Sequence, residues 1–173
     1  MMKKLILLGA LLGACFMVNA QSAGFSTRKG GNCFTLDVPE YMTKTFSLND
    51  VASLQYQNTA KATYIIVIED DKDNLQEVGM KFTGPKDFLE SFSNEFKKDM
   101  VKRKLTPTTE FKSNGNGHAQ TELFWTEDDT DFYMMITGVE TAGHFYKIMC
   151  WTTLENKPRV EADFRRISKS LKE

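Results

Sequence analysis

The sequence predicts an α+β domain, a three-layer α/β/α sandwich whose central, mostly antiparallel sheet has about six to seven strands. Two observations lead to this prediction. Several strand-length segments are apolar on both faces, and at least two helical segments are apolar on one face only. A sheet with two apolar faces needs a cover on each, because burial of apolar surface contributes about 25 cal/mol per Å².

Composition excludes several classes of protein. The chain has 173 residues, of which 41% are hydrophobic and 26% charged, an ordinary balance for one globular domain. Its 22 Lys and Arg residues are matched by 23 Asp and Glu residues. Nucleic acid is therefore excluded as a main partner, because its phosphates select a dense positive field.

The first twenty residues have the three parts of a secretory signal peptide. Lys3 and Lys4 precede an uncharged apolar run over residues 5–18, and small residues up to Ala20 follow. The run is shorter than the roughly 20 residues needed to span a bilayer. We expect cleavage after Ala20 and export of the mature chain to the periplasm or the extracellular space.

A second interpretation of this segment is a bacterial lipobox. The sequence Leu-Gly-Ala-Cys ends at Cys15, whose thiol would be acylated so that the lipid holds the domain on a membrane. The apolar run continues past Cys15, however, where a lipoprotein turns polar. A membrane is thus an expected partner only in the lipidated form.

The first structural elements are expected to be strands. Residues 21–32 are small and polar and predict a flexible leader, so the domain is expected to span residues 33–173. Polar and apolar residues alternate over residues 33–38 and 51–57, and residues 63–69 are apolar at every central position.

The second half contains two helices and an antiparallel meander. Apolar residues recur at helical spacing over residues 86–102, after a Gly-Pro pair that suits a first turn. Strands are predicted at residues 105–112, 119–126, 131–140 and 144–153, with an Asn-Gly hairpin turn within residues 113–117. A closing amphipathic helix is expected to begin at Asn156 as N-cap and to end near Leu171.

Two segments resemble a known family. The strand Phe-Thr-Leu-Asp-Val-Pro at residues 34–39 and the terminal helix at residues 164–171 are similar to the ends of the PsbP-like superfamily, which includes DcrB-like bacterial exported proteins. The chain departs from that pattern at Glu40, Tyr41 and Leu171, where the family often has Gly, Trp and Phe. The resemblance implies an α/β/α sandwich, no shared catalytic residues, and a role in binding or assembly.

The cysteines of the mature chain are Cys33 and Cys150. Export places them where disulfides persist, and closing so long a loop would contribute about 4 to 5 kcal/mol. The sequence therefore offers Cys33–Cys150 as a disulfide candidate. Two unpaired cysteines acting as small hydrophobic residues are the alternative, since sequence spacing says nothing about their distance in space.

No motif predicts catalysis, a cofactor or a metal. Acidic runs at residues 69–73 and 127–131 lack the loop pattern of a calcium site and are interpreted as solvated turns. His118 and His144 lack the ligand spacing of a zinc site and are interpreted as turn or strand-end residues. The sequence therefore predicts no catalytic, no cofactor-binding and no metal-binding residues.

The leading functional hypothesis is an exported, non-enzymatic domain that binds or helps to assemble another protein of the cell envelope. One alternative is a periplasmic carrier of a small apolar ligand, with a pocket lined by Trp125, Tyr133, Phe145 and Trp151. Another is a hydrolase whose site has no recognised motif. Convergent polar side chains in a cleft would favour the hydrolase.

Overall fold

A computed structural model describes residues 24–31 and 33–173, which form one large sheet, a separate hairpin and three helices. The hairpin consists of β1 (Phe25–Gly30) and β2 (Phe34–Pro39). The sheet consists of β3 (Thr43–Lys44), β4 (Leu54–Asn58), β5 (Thr63–Asp71), β6 (Val101–Leu105), β7 (Thr109–Ser113), β8 (Asn116–Glu127), β9 (Thr130–Glu140) and β10 (His144–Thr153). The helices are α1 (Lys72–Glu77), α2 (Pro85–Ser93) and α3 (Lys157–Ser170).

The sheet has eight strands, and every pair of neighbours is antiparallel. Its order is β3-β4-β5-β10-β9-β8-β6, with β7 also paired to β8. Strands β8, β9 and β10 follow one another along the chain and form the predicted meander. The strand β5 pairs with β10, so the end of β5 lies beside the start of β10.

One face of the sheet is covered by α3 together with the β1–β2 hairpin. Phe164 and Ile167 of α3 are fully buried against this face. The hairpin is held to the end of the chain by two backbone hydrogen bonds between Thr35 and Lys172, and the Asp37 amide donates to the Ser170 hydroxyl. The hairpin and the helix thus form one layer.

The opposite face is covered by α2. Leu89 is fully buried there against a cluster that includes Ile66, Ile136 and Met149. The neighbouring residue Met135 belongs to the first face, because successive side chains of a strand point to opposite sides. Both faces are therefore buried, and the predicted α+β three-layer arrangement is confirmed.

Residues 25–30 correct the expected leader. The segment was expected to be flexible through residue 32, yet β1 pairs with β2 over six residue pairs. Phe25 packs at the edge of the core, with the Arg166 guanidinium 4.0 Å from its ring centre. Pairing with β2 orders this segment, since the three consecutive polar residues Thr27–Lys29 are exposed and give no alternating pattern that would predict a strand.

The helix expected over residues 86–102 is shorter, and α2 ends at Ser93. Lys97 has a positive φ of 55°, and the chain then enters β6. The Arg103 side chain donates to the carbonyl oxygens of Ser93 and Phe96 and so replaces bonds that a continuing helix would make. Phe96 and Met100, which follow Ser93 at helical spacing, pack against the sheet without belonging to the helix.

The strand expected at residues 105–112 is divided into β6 and β7, with Pro107 between them. The predicted Asn-Gly turn is confirmed, since Asn114 and Gly115 have φ values of 52° and 82°. The closing helix is also confirmed, although the Asn156 side chain makes no capping hydrogen bond. Within the described residues, no helix is both long enough and apolar enough to cross a membrane.

Candidate functional site

Polar side chains from four distant parts of the chain meet at one end of the face that α3 covers. We call them the Cys33 cluster. Its members are Cys33, Glu69, Asp71, His144, Tyr146 and Glu173.

The pairing of β5 with β10 brings four of these residues together. In the antiparallel register, Tyr146 lies opposite Glu69 and His144 lies opposite Asp71. Residues two apart on a strand share a face, so all four side chains lie on the same side of the sheet. The four residues lie at the end of β5 and the start of β10, where the buried core meets solvent.

The other two members come from the hairpin and the end of the chain. Cys33 immediately precedes β2. Glu173 follows Lys172, whose backbone is hydrogen-bonded to Thr35 of β2. Gly31 lies directly over Glu69. A Cβ atom at Gly31 would be 2.3 Å from the Glu69 Oε2 atom, and its φ of 52° also favours glycine.

The thiol of Cys33 is hydrogen-bonded and neutral. Its Sγ atom donates to Glu69 Oε1 at 2.9 Å and lies 3.4 Å from the Tyr146 hydroxyl. Burial, followed by the hydrogen bond to the Glu69 carboxylate, raises the pKa of the Cys33 thiol above its ordinary value. A thiol in this setting is the opposite of an activated nucleophile, which needs a lowered pKa.

His144 is surrounded by carboxylates. Its Nδ1 atom is 2.5 Å from Glu173 Oε1, while its Nε2 atom is 3.6 Å from Glu69 and 3.7 Å from Asp71. The imidazole is only 19% exposed. Among the residues that the structure describes, no Lys or Arg nitrogen comes within ion-pair distance of these three carboxylates.

The fold itself can be compared with known proteins. No family model and no curated protein sequence matches the chain. Among solved structures, cyanobacterial PsbP (CyanoP) from Synechocystis sp. PCC 6803 aligns with a TM-score of 0.55 at 13% identity, over 93% of this chain and 98% of that one. The chain has a PsbP-like fold.

A second solved structure extends this likeness. LpqN, which is involved in cell envelope biogenesis of Mycobacterium tuberculosis, aligns with a TM-score of 0.57 at 9% identity, over 86% of this chain and 89% of LpqN. At such low identity the likeness concerns the PsbP-like fold alone. It agrees with the resemblance carried by residues 34–39 and 164–171.

The PsbP-like fold keeps the two candidate cysteines apart. Both thiols are free, and Cys150 is fully buried in the core. Cys33 contacts Tyr146, and Cys150 lies four residues further along β10, which is about 13 Å at the rise of a strand. The structure thus corrects the disulfide candidate and agrees with the alternative of two unpaired cysteines. Cys15 and the signal peptide at residues 1–20 lie outside the described residues.

The two histidines differ in their surroundings. His144 is a strand-end residue, as expected, but it also belongs to the Cys33 cluster. His118 is the third residue of β8, close to the strand end rather than in the turn, and it is 1% exposed and stacks on Phe111 with ring centres 4.9 Å apart. Burial lowers the pKa of His118 below its ordinary value.

The two acidic runs also differ in their surroundings. Asp128 and Asp129 form a tight turn between β8 and β9, as expected for solvated turn residues. In the run 69–73, Glu69 and Asp71 belong to the cluster, while Asp70 points to the other face and pairs with Lys147. The cluster has no sequence motif, because its members are far apart in the chain. The only local signal was the pair of acidic residues two apart at the end of a strand.

Proposed function

We propose that this chain is an exported, non-enzymatic domain that binds another protein of the cell envelope. The signal-like residues 1–20 support export. The PsbP-like fold supports an envelope role by analogy, since LpqN with a similar fold is involved in cell envelope biogenesis. The observation that carries the proposal is an ordered loop that holds apolar side chains in solvent.

This loop comprises residues 45–53, between β3 and β4, and we call it the apolar loop. Phe46 is 76% exposed and Val51 is 71% exposed. The Lys44 ammonium lies 5.0 Å from the centre of the Phe46 ring. Burying a large apolar side chain contributes about 1.5 to 3 kcal/mol, so an aromatic residue held outside is a strong anchor for a partner.

A buried glutamine keeps the apolar loop in one shape. The Gln55 Oε1 atom accepts hydrogen bonds from the amides of Leu48 and Asn49, at 2.9 and 3.1 Å. Its Nε2 atom donates to the Asn49 carbonyl at 2.6 Å. Because Gln55 is only 5% exposed, these bonds form in a protected site. A preorganised loop loses little conformational freedom when a partner binds, which favours affinity.

The carrier alternative has less support. Its proposed aromatic pocket is not formed, because Tyr133 packs on the face that α3 covers and Trp125 packs on the opposite face. The cleft beside α1, about 240 Å³, is open and is lined by charged residues such as Lys72 as well as by Phe145. An apolar ligand would stay partly hydrated there.

The hydrolase alternative was linked to convergent polar side chains, and the Cys33 cluster is such an arrangement. Its chemistry argues against nucleophilic catalysis. The Cys33 thiol is hydrogen-bonded to the Glu69 carboxylate, and its pKa is raised. Nearby carboxylates disfavour the thiolate that would have to attack a substrate.

The proposal is tested by capture of envelope proteins with three forms of the tagged protein. The first is the wild type and the second carries both Phe46→Ser and Val51→Ser. The third carries Val101→Ser as a matched control, because Val101 is 66% exposed on β6 at the opposite edge of the sheet. All three are cross-linked in intact cells and compared by mass spectrometry, after their thermal stability has been shown to be equal.

We expect one envelope protein to be recovered with the wild type and with Val101→Ser. With the double variant its recovery should fall at least tenfold, since truncating an aromatic anchor costs about 2 kcal/mol or more. Equal recovery with all three forms would refute the role of the apolar loop. Recovery of the protein's own second copy alone, or of no macromolecule, would refute binding to another envelope protein.

A further inference from the structure

The Cys33 cluster contains the donor set of a metal site. The Cys33 sulfur, a ring nitrogen of His144 and a carboxylate oxygen of Glu173 all lie within 4.8 Å of one another. Glu69 Oε1 adds a further oxygen, 2.9 Å from the sulfur and 3.6 Å from His144 Nε2. Sulfur, nitrogen and oxygen donors therefore converge from four separate segments of the chain.

The charges of the cluster favour a cation. Glu69, Asp71 and Glu173 all face His144, which can carry at most one positive charge. Two lysines next to cluster residues in the chain have other partners: Lys72 pairs with Glu140, and Lys147 pairs with Asp70. A dication would neutralise this excess of negative charge at a partly buried place, where the repulsion is least screened.

We propose that the Cys33 cluster binds one divalent transition-metal ion of the zinc class through Cys33, His144 and Glu173, with Glu69 as a fourth donor. Thiolate and imidazole ligands select zinc-class ions, whereas calcium and magnesium prefer oxygen donors alone. On binding, the Cys33 thiol releases its proton to solvent and a sulfur–metal bond forms. The oxidation state of the metal does not change.

The distances are close to those of a tetrahedral site. With metal–sulfur bonds of about 2.3 Å and metal–nitrogen bonds of about 2.0 Å, the donor atoms of such a site lie about 3.5 Å apart. Donor atoms that now lie within 4.8 Å of one another reach this spacing when side-chain rotations move them by about 1 Å. The two nitrogens of His144 face different carboxylates. If Nδ1 binds the metal beside Glu173, Nε2 faces Asp71 Oδ2 at 3.7 Å, a carboxylate that can accept its N–H after a small rotation and so orient the ring.

The backbone around the cluster is well suited to hold the ligands. Glu69 and His144 lie on neighbouring central strands, and Glu173 follows the two hydrogen bonds between Thr35 and Lys172. A bound ion would connect the β1–β2 hairpin and the end of the chain to the sheet. This role does not depend on the apolar loop, so either proposal can fail without the other.

Cobalt is the probe for this site, because a thiolate bound to Co²⁺ gives a charge-transfer absorption band that carboxylates do not give. Reduced, metal-free protein is titrated with Co²⁺ and then with Zn²⁺. We expect one equivalent of Co²⁺ to produce the band and one equivalent of Zn²⁺ to remove it. A large excess of Ca²⁺ should leave the band unchanged.

Variants identify the ligands. Cys33→Ser should abolish the band, whereas Cys150→Ala, which alters the other free thiol, should retain it. His144→Asn and Glu173→Gln should weaken Co²⁺ binding by about 10- to 100-fold or more. Glu140→Gln is the matched control, since Glu140 pairs with Lys72 outside the cluster.

Three results would overturn the proposal. They are the absence of a band and of stoichiometric Zn²⁺ binding in the wild type, full retention of the band in Cys33→Ser, and displacement of Co²⁺ by Ca²⁺. Circular dichroism establishes that each variant is folded. If Cys33→Ser does not fold, Co²⁺ binding by His144→Asn is compared with that by Glu140→Gln. Equal affinity of these two variants would then overturn the proposal.

Discussion

The close packing of α2 against the sheet can be tested at Gly138, near the end of β9. A Cβ atom added there would lie 2.9 Å from the backbone oxygen of Pro85 and 3.1 Å from the Cβ atom of Leu89. Leu89 is fully buried, and Pro85 begins the helix. The substitution Gly138→Ala would therefore push the backbone of α2 away from the sheet.

The expected loss of stability follows from these contacts. Overpacking of a close-packed core costs about 1 to 3 kcal/mol, and here the nearest atom belongs to the backbone and cannot rotate away. The φ angle of Gly138 lies outside the left-handed region, so the cost comes from packing alone. Restriction of the unfolded chain by alanine offsets about 0.4 to 1 kcal/mol of it. From the middle of the two ranges the net loss is about 1.3 kcal/mol, so Tm should fall by roughly 3 to 5 °C for a domain of this size.

Urea unfolding followed by circular dichroism measures the effect, with Gly117→Ala as the matched control. Gly117 lies on the adjacent strand β8, and its added Cβ would meet the Pro85 ring at 3.4 Å (Cγ) and 3.7 Å (Cδ), which are ordinary contacts. We expect the midpoint to fall for Gly138→Ala and to stay near the wild-type value for Gly117→Ala. A Gly138→Ala protein as stable as the wild type would refute the close packing of α2.

Three further predictions concern pH, the end of α2 and metal binding. Because burial lowers the pKa of His118 in the fold, stability should be complete above the unfolded pKa of about 6.5 and should decline below it, by at most about 1.4 kcal/mol per pH unit. Urea unfolding at pH 7.5 and 5.5 measures this, and His118→Phe should reduce the decline. Arg103→Met should cost about 1 to 3 kcal/mol in urea unfolding, since the carbonyls of Ser93 and Phe96 lose a charged donor. Zn²⁺ at 100 times its dissociation constant should stabilise the wild type by about 2.7 kcal/mol, seen as a higher Tm, and should leave Cys33→Ser unchanged.

Each of these has an outcome that would contradict it. The same decline with pH in wild type and His118→Phe would show that other groups cause the acid sensitivity. An Arg103→Met protein of wild-type stability would mean that solvent satisfies those carbonyls equally well. An equal rise of Tm in wild type and Cys33→Ser would place the zinc effect outside the Cys33 cluster.

Local chemistry made several elements predictable. Apolar residues at successive positions of β9 predicted burial of both sheet faces, and Met134 and Met135 do belong to opposite cores. The Asn114-Gly115 pair predicted its own turn, because few residues accept a positive φ at both positions. These features depend on residues a few positions apart, and the sequence shows such residues directly.

Elements that depend on distant partners were predicted less well. Phe92, Phe96 and Met100 recur at helical spacing, yet α2 ends at Ser93. The Arg103 side chain donates to the Ser93 carbonyl oxygen, and the chain then forms β6, which pairs with β8 in the sheet. The polar segment of β1 had no local signal for a strand. It is ordered because β2 offers six partners in register.

The sequence by itself therefore determined an α+β domain with a two-faced sheet, a closing helix and a signal-like start, since propensity, periodicity and turn chemistry act over short stretches of chain. Only the tertiary structure decided that Cys33 lies beside Glu69 and His144 rather than beside Cys150. Those residues are brought together by the register of β5 with β10 and by the hairpin bonded to Lys172. Such contacts join residues far apart in the chain, and spacing along a sequence carries no measure of distance in space.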